Sequence, residues 1–86
     1  MAMTADYLHS AGVVIAAAPS LRDAAALWRA RDPAVRVVVV DAREMRDETP
    51  ALRLGKRCVY LASADGHCWH VTQQPEEATA LILTQD

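Results

Sequence analysis

A small α/β domain, with a mixed sheet flanked by helices, follows from three kinds of segment in this chain. "VVIAAA" from Val13 and "VRVVVV" from Val35 to Val40 are short apolar runs without polar interruption, the pattern of strands covered on both faces. "PSLRDAAALWRAR" lies between them and carries helix signals at both ends. "CVYLAS" and "HCWHVT" are β-prone runs on either side of the turn signal "ADG". The predicted order is βαβ(α)ββα; the alternative is another compact α/β sandwich with a C-terminal strand.

Residues 1–12 are expected to form an N-terminal arm or a short helical turn, capped at Thr4 and stopped at Gly12, ahead of a single domain over 13–86. Behind the first strand, Ser20 is placed as N-cap with Asp23 at N3. Leu21, Ala24, Ala25 and Trp28 recur at helical spacing and define a buried stripe, leaving Arg22 and Arg29 on the wet side, and Asp32 and Pro33 end the helix. Five valines in the six positions of "VRVVVV" favour a central strand. Strand, helix and strand in that order make a right-handed crossover with parallel strands.

After Val40 the chain becomes charged. Asp41 and Glu44 have capping-box spacing and start a short helix in "AREMRDE", while Thr49 and Pro50 restart one that Gly55 ends. That reading is preferred to one in which "ALRL" is a strand turning at Gly55 and Lys56. In "PEEATALILTQD", Pro75, Glu76 and Glu77 suit the first turn of a terminal helix with Ala78, Leu81 and Ile82 inward. Thr79 and "LIL" keep a strand as the alternative there.

For the hairpin, a three-residue loop over 64–66 with Gly66 as a G1 bulge sets Ser63 opposite His67. Val59, Leu61, Trp69 and Val71 then share one face and Cys58, Tyr60, Ala62, Cys68, His70 and Thr72 the other, a coherent apolar face of the kind that fixes register. Trp28 and Trp69 are both expected in the core. Cys58 and Cys68 lie four residues apart along that ladder, roughly 13 Å, too far for a disulfide. Only Cys68 and His70 converge, with His67 on the opposite side, so no metal site is expected; His9 is a distant ligand at most. As a catalytic pair, Cys68 and His70 stand about 7 Å apart at i and i+2, outside hydrogen-bond reach.

Composition excludes several classes of function. The 86 residues suffice for one domain, but seventeen alanines and no phenylalanine leave a thin core that partners can complete. A formal net charge of -2 with mixed signs is not a nucleic-acid footprint. "GVVIAAA" is far short of the ~20 apolar residues of a membrane span, and no basic region precedes it. Two cysteines are too few for a disulfide framework, so a cytoplasmic location and no cofactor are expected. Eight arginines against one lysine, with the alanine excess, fit a GC-rich bacterial genome.

Strand, helix, strand, short helix, hairpin and helix, from Val13 to Gln85, resembles the order of elements in the thioredoxin-like fold, and "ASADGHCWHVTQQPEEATALI" is similar to its hairpin and last helix. The resemblance implies a Cys-x-x-Cys or a single Cys where the first strand meets the first helix. Here that place reads "AAPS", Ala17 to Ser20, without a thiol. It also implies a cis-proline before the third strand, a role open to Pro50 only if "ALRL" is that strand. What such a fold still offers is an anion-holding helix N-terminus near Ser20.

These readings favour a small non-enzymatic accessory or adaptor domain that binds an unknown protein partner or itself as a homodimer. The segment from Asp41 to Arg57 holds four acids, four arginines and the only lysine, and Arg53, Lys56 and Arg57 form its net-positive end. Tyr60, Arg53 and Arg57 are the expected partner contacts, on a sheet face that this segment covers thinly. The alternative is a thiol- or metal-dependent thioredoxin-like enzyme centred on Cys68 and His70.

Overall fold

Two consecutive helices, not a strand and a helix, open the chain. The computed structural model describes residues 4–65 and 68–86, and the side chains of these except Ala64, Asp65 and Cys68. Helix α1 spans Ala5–Ala17, and the Thr4 hydroxyl caps it by accepting from the Tyr7 N–H at 3.0 Å. It takes in Val13, Val14 and Ile15, which the sequence assigns to a strand. The reason is a helical stripe that continues across Gly12: Tyr7, Leu8, Ala11, Ile15 and Ala18 all face the core. Packing of that stripe overrides the β preference of three branched residues. Gly12 is therefore a contact rather than a stop, since a Cβ there would meet Leu52 Cδ1 at 2.9 Å.

Helix α2, Leu21–Arg31, forms as its sequence predicts. The Ser20 hydroxyl accepts from the Asp23 N–H at 3.1 Å, and Leu21, Ala24, Ala25 and Trp28 are buried. Asp32 ends it, the Asp32 N–H returning to the Trp28 carbonyl at 2.8 Å. Buried alanines on both helices, Ala11, Ala24 and Ala25 among them, let the two pack closely side by side.

The sheet has five strands: β1 (Arg36–Val39), β2 (Leu52–Leu54), β3 (Arg57–Asp65), β4 (Cys68–Thr72) and β5 (Ala80–Gln85). Their order is β1-β5-β3-β2, with β4 also on β3. Because β5 pairs with residues 57–62 of β3 and β4 with residues 61–65, β2 and β4 succeed one another along the edge of β3 that β5 leaves free. Among the described strands, β1 and β5 form the parallel pair and the others run antiparallel. The parallel pair thus joins β1 to the C-terminal strand, and the expected crossover through α2 is not formed.

Two more expectations change. "ALRL" is strand β2, the reading ranked second, and the two-residue loop Gly55-Lys56 puts Gly55 at φ 65, a value a hairpin turn needs and glycine meets without strain. Every described peptide bond is trans, including that before Pro50. The last segment makes only a 3-10 turn, Pro75–Glu77, before β5. A helix over "ALILT" would leave Leu83 outside; as the strand between β1 and β3, the segment buries Ala80, Leu81, Leu83 and Thr84. The fold is accordingly α/β with two helices and a mixed five-stranded sheet, and it departs from the thioredoxin-like order at both ends.

Both helices cover one face, where Val37, Val59, Leu61, Leu81 and Leu83 meet Ala11, Ile15, Leu21, Ala24, Ala25 and Trp28. On the other face, the 3-10 turn Ala42–Met45 brings Met45 onto Cys58 and Tyr60. That division of the sheet positions everything below.

Candidate functional site

Cross-strand register fixes the composition of the sheet face opposite the helices. One row reads Arg36, Ala80, Ala62 and Val71 across β1, β5, β3 and β4; the next reads Val38, Ile82 and Tyr60. Trp69, opposite Ala64, stands two residues along β4 from Val71 on the same face. The central strands contribute alanine and the outer ones long side chains. Arg36 and Trp69 lean over the alanines until the guanidinium carbon lies 5.6 Å from the ring centroid, a cation–π contact. Ala62 and Ala80 beneath are fully buried, whereas Trp69 is 48% exposed. Val38, Val71 and Ile82 beside them are half-buried. This is an apolar platform with an aromatic and a cation at its edge, on the face that the helices do not reach.

Trp69 is thus not a core residue, and the reason is the hairpin register. Asp65 pairs with Cys68, Ala64 with Trp69, Ser63 with His70, Ala62 with Val71 and Leu61 with Thr72. This differs by three positions from the expected pairing, and an odd slip moves every β4 side chain to the other face. The expectation assumed that Val59 and Leu61 of β3 needed β4 partners for their apolar face. They obtain them from β5 and the helices instead, which frees β4, beside the far end of β3, to turn Trp69 and Val71 the other way. Gly66, on which the G1 bulge was placed, and His67, expected opposite Ser63, lie outside the described residues.

The expected site residues do not gather in one place. Tyr60 is almost wholly buried, its hydroxyl donating to the Met45 carbonyl at a long 3.5 Å. It lines a cleft of about 290 Å³ with Cys58, Thr84, Arg46 and the exposed Arg53. At the mouth of that cleft Arg43 contacts Asp41 at 3.4 Å; the Arg43 backbone amide, then its guanidinium, hold the Asp41 carboxyl below its ordinary range. Arg57 lies on the opposite face: one guanidinium nitrogen donates to the Ile15 and Ala18 carbonyls at 2.6 and 2.8 Å, and Nε donates to Gln85 at 3.0 Å. It closes the C-terminus of α1. Ser20 is occupied as the cap of α2.

Cys68 and His70 are alternate residues of β4, with His70 exposed opposite Ser63; the Cys68 side chain lies outside the described residues. Cys58 is buried and unpaired, and the strand position facing Cys68 is Asp65, seven residues along β3 from Cys58, roughly 23 Å at ~3.3 Å per residue. Among the described residues no three His, Cys, Asp or Glu side chains converge as metal ligands, and no helix is long and apolar enough to cross a membrane. His9 is exposed on α1.

A polar bracket joins the helices at the far side of the core. Tyr7 donates to the Asp32 carboxylate at 2.8 Å and accepts from the Trp28 indole N–H at 2.9 Å, with the two rings edge to face at 5.3 Å. Burial, and then the bond to Asp32, push the Tyr7 hydroxyl up to about 12, so it remains a donor. No family model matches the chain, and no curated protein or solved structure is significantly similar to it.

Proposed function

We propose that this chain is a small non-enzymatic interaction domain that engages a protein through the sheet face opposite its helices, the simplest partner being a second copy. One observation carries the reading: Trp69 stands 48% exposed against Arg36 on an apolar platform. Large aromatics and arginine are the residue types that anchor protein interfaces, because they bury much area at little conformational cost. A two-fold contact requires a self-complementary patch. A ring and a guanidinium side by side provide one, since each can stack on its opposite number across the axis. A free, buried Cys58 accords with action in a reducing cytoplasm.

Sedimentation velocity over the micromolar range tests this directly. The wild-type chain is expected to shift toward dimer with concentration, with a blue shift of Trp69 emission, and Trp69→Ala and Arg36→Glu should each hold it as monomer. A chain monomeric throughout removes the homodimer. The competing enzyme centred on Cys68 and His70 is separated by alkylation of the native protein: rapid, pH-sensitive labelling of Cys68 near neutrality would favour it.

A further inference from the structure

The outer edge of β1 is a second feature, independent of the platform. In the parallel ladder, Arg36 N–H donates to the Thr79 carbonyl and Val40 N–H to the Leu83 carbonyl, so the even-numbered residues of β1 turn their backbone groups toward β5. Val37 and Val39 therefore direct theirs outward. Among the described residues no other strand flanks β1 on that side. Val39 is 45% exposed, and the strand is drawn from the most β-prone run of the chain. Such an edge is a template for another strand.

One group occupies it. Arg29 of α2 reaches over the edge and donates to the outward Val37 carbonyl twice, from Nε at 3.0 Å and from Nη2 at 2.6 Å. Its helix position is on the wet side of the stripe, where no core contact demands an arginine. Two charge-assisted bonds to a single carbonyl place a guanidinium where an incoming strand would lay its N–H.

We infer that the outer edge of β1 is a strand-pairing surface, that its occupant is β1 of a second copy, and that Arg29 holds it shut. The occupant follows from the pattern of free groups. With a two-fold axis at Val38, Val37 of one copy faces Val39 of the other, and each pair exchanges both N–H···O bonds as an antiparallel ladder requires. The outward N–H and C=O groups of Val37 and Val39 are thereby all used, with no change of register elsewhere in the sheet. The same geometry names the obstacle, because the Val37 carbonyl of each copy must leave Arg29 before it can accept from Val39. Arginine at this position keeps the edge from polymerising or dimerising, in the way charged residues protect exposed strand edges elsewhere.

The experiment uses the full chain with Trp69→Ala, so that association through the platform does not contribute. In that background, Arg29→Met keeps the aliphatic stem over β1 and removes the donors, and Arg29→Lys retains one cation. Sedimentation should show concentration-dependent dimer for the methionine variant and little or none for the parent and the lysine variant. Hydrogen exchange resolved at single amides should show the exposed Val39 exchanging freely in the parent at every concentration. In the methionine variant that amide should become protected as concentration rises. A methionine variant with native circular dichroism that stays monomeric, with Val39 unprotected, overturns the inference. Concentration-dependent protection of the same amide in the parent would equally overturn the role of Arg29. If Arg29→Met fails to fold, Arg29→Leu, which likewise carries no donor, is read by the same two measurements.

Discussion

Trp28 and Trp69 are the same residue type with opposite roles, and the difference lies in what surrounds each. Trp28 is 2% exposed, packed in the helix stripe with its N–H satisfied by Tyr7 and the Arg31 guanidinium 5.4 Å from its ring. Removing it leaves a cavity and takes from the Tyr7 hydroxyl the N–H it accepts, so Trp28→Ala should cost about 3–5 kcal/mol, a large part of the stability of a small domain. Trp69→Ala removes a half-exposed ring over alanines that Arg36 still partly covers, and should cost under about 1 kcal/mol. Denaturant midpoints of the two variants check both values. Equal losses would mean that Trp69 is buried like Trp28. Trp28 was legible in the sequence because the helical spacing of Leu21, Ala24, Ala25 and Trp28 depends on no distant partner. Trp69 was not, because its face depends on a register set by which strand satisfies Val59 and Leu61.

Among the elements, those coded by local signals were legible and those decided by tertiary contacts were not. Helix α2 has a cap, a stripe and a stop within its own sequence, and β1 is a run of valines. Helix α1 has its stripe too, but Gly12 and the β-branched run after it look like a boundary until Leu52 is known to lie against that glycine. Arg57 shows the same dependence, since it ends the charge cluster that begins at Asp41 and its partners are carbonyls on another element. In the sequence it looks like a docking residue; in the fold it terminates α1. Arg57→Ala should lower stability by about 1–2 kcal/mol through lost charge-assisted bonds and loosen the last turn of α1. Arg53→Ala, on an exposed position of β2, should change it by less than about 0.5 kcal/mol. Thermal melts with amide exchange over Ile15 to Ala18 distinguish the two. Melting unchanged by Arg57→Ala would return it to the role of a surface contact.

For the whole molecule, the decisive strand is the last one. β5 lies between β1 and β3, pairs with both, and is buried on both faces through Ala80, Leu81, Leu83 and Thr84. Without it, β1 has no strand neighbour at all, β3 loses the partner of residues 57–62, and the helices lose Leu81 and Leu83 from their core. The sheet is therefore completed by pairing residues from far apart in the chain, which costs loop-closure entropy before any strand contact is gained and makes the fold all-or-none. A chain ending at Thr79 should show no cooperative thermal transition and little native sheet signal by circular dichroism. Had the C-terminal segment been a helix laid on one face, its loss would weaken the domain but leave a folded sheet behind. A truncated chain that still melts cooperatively, with Val37 amide exchange as in the full protein, would show that β1 is held by α2 alone and that β5 is not the centre of this sheet.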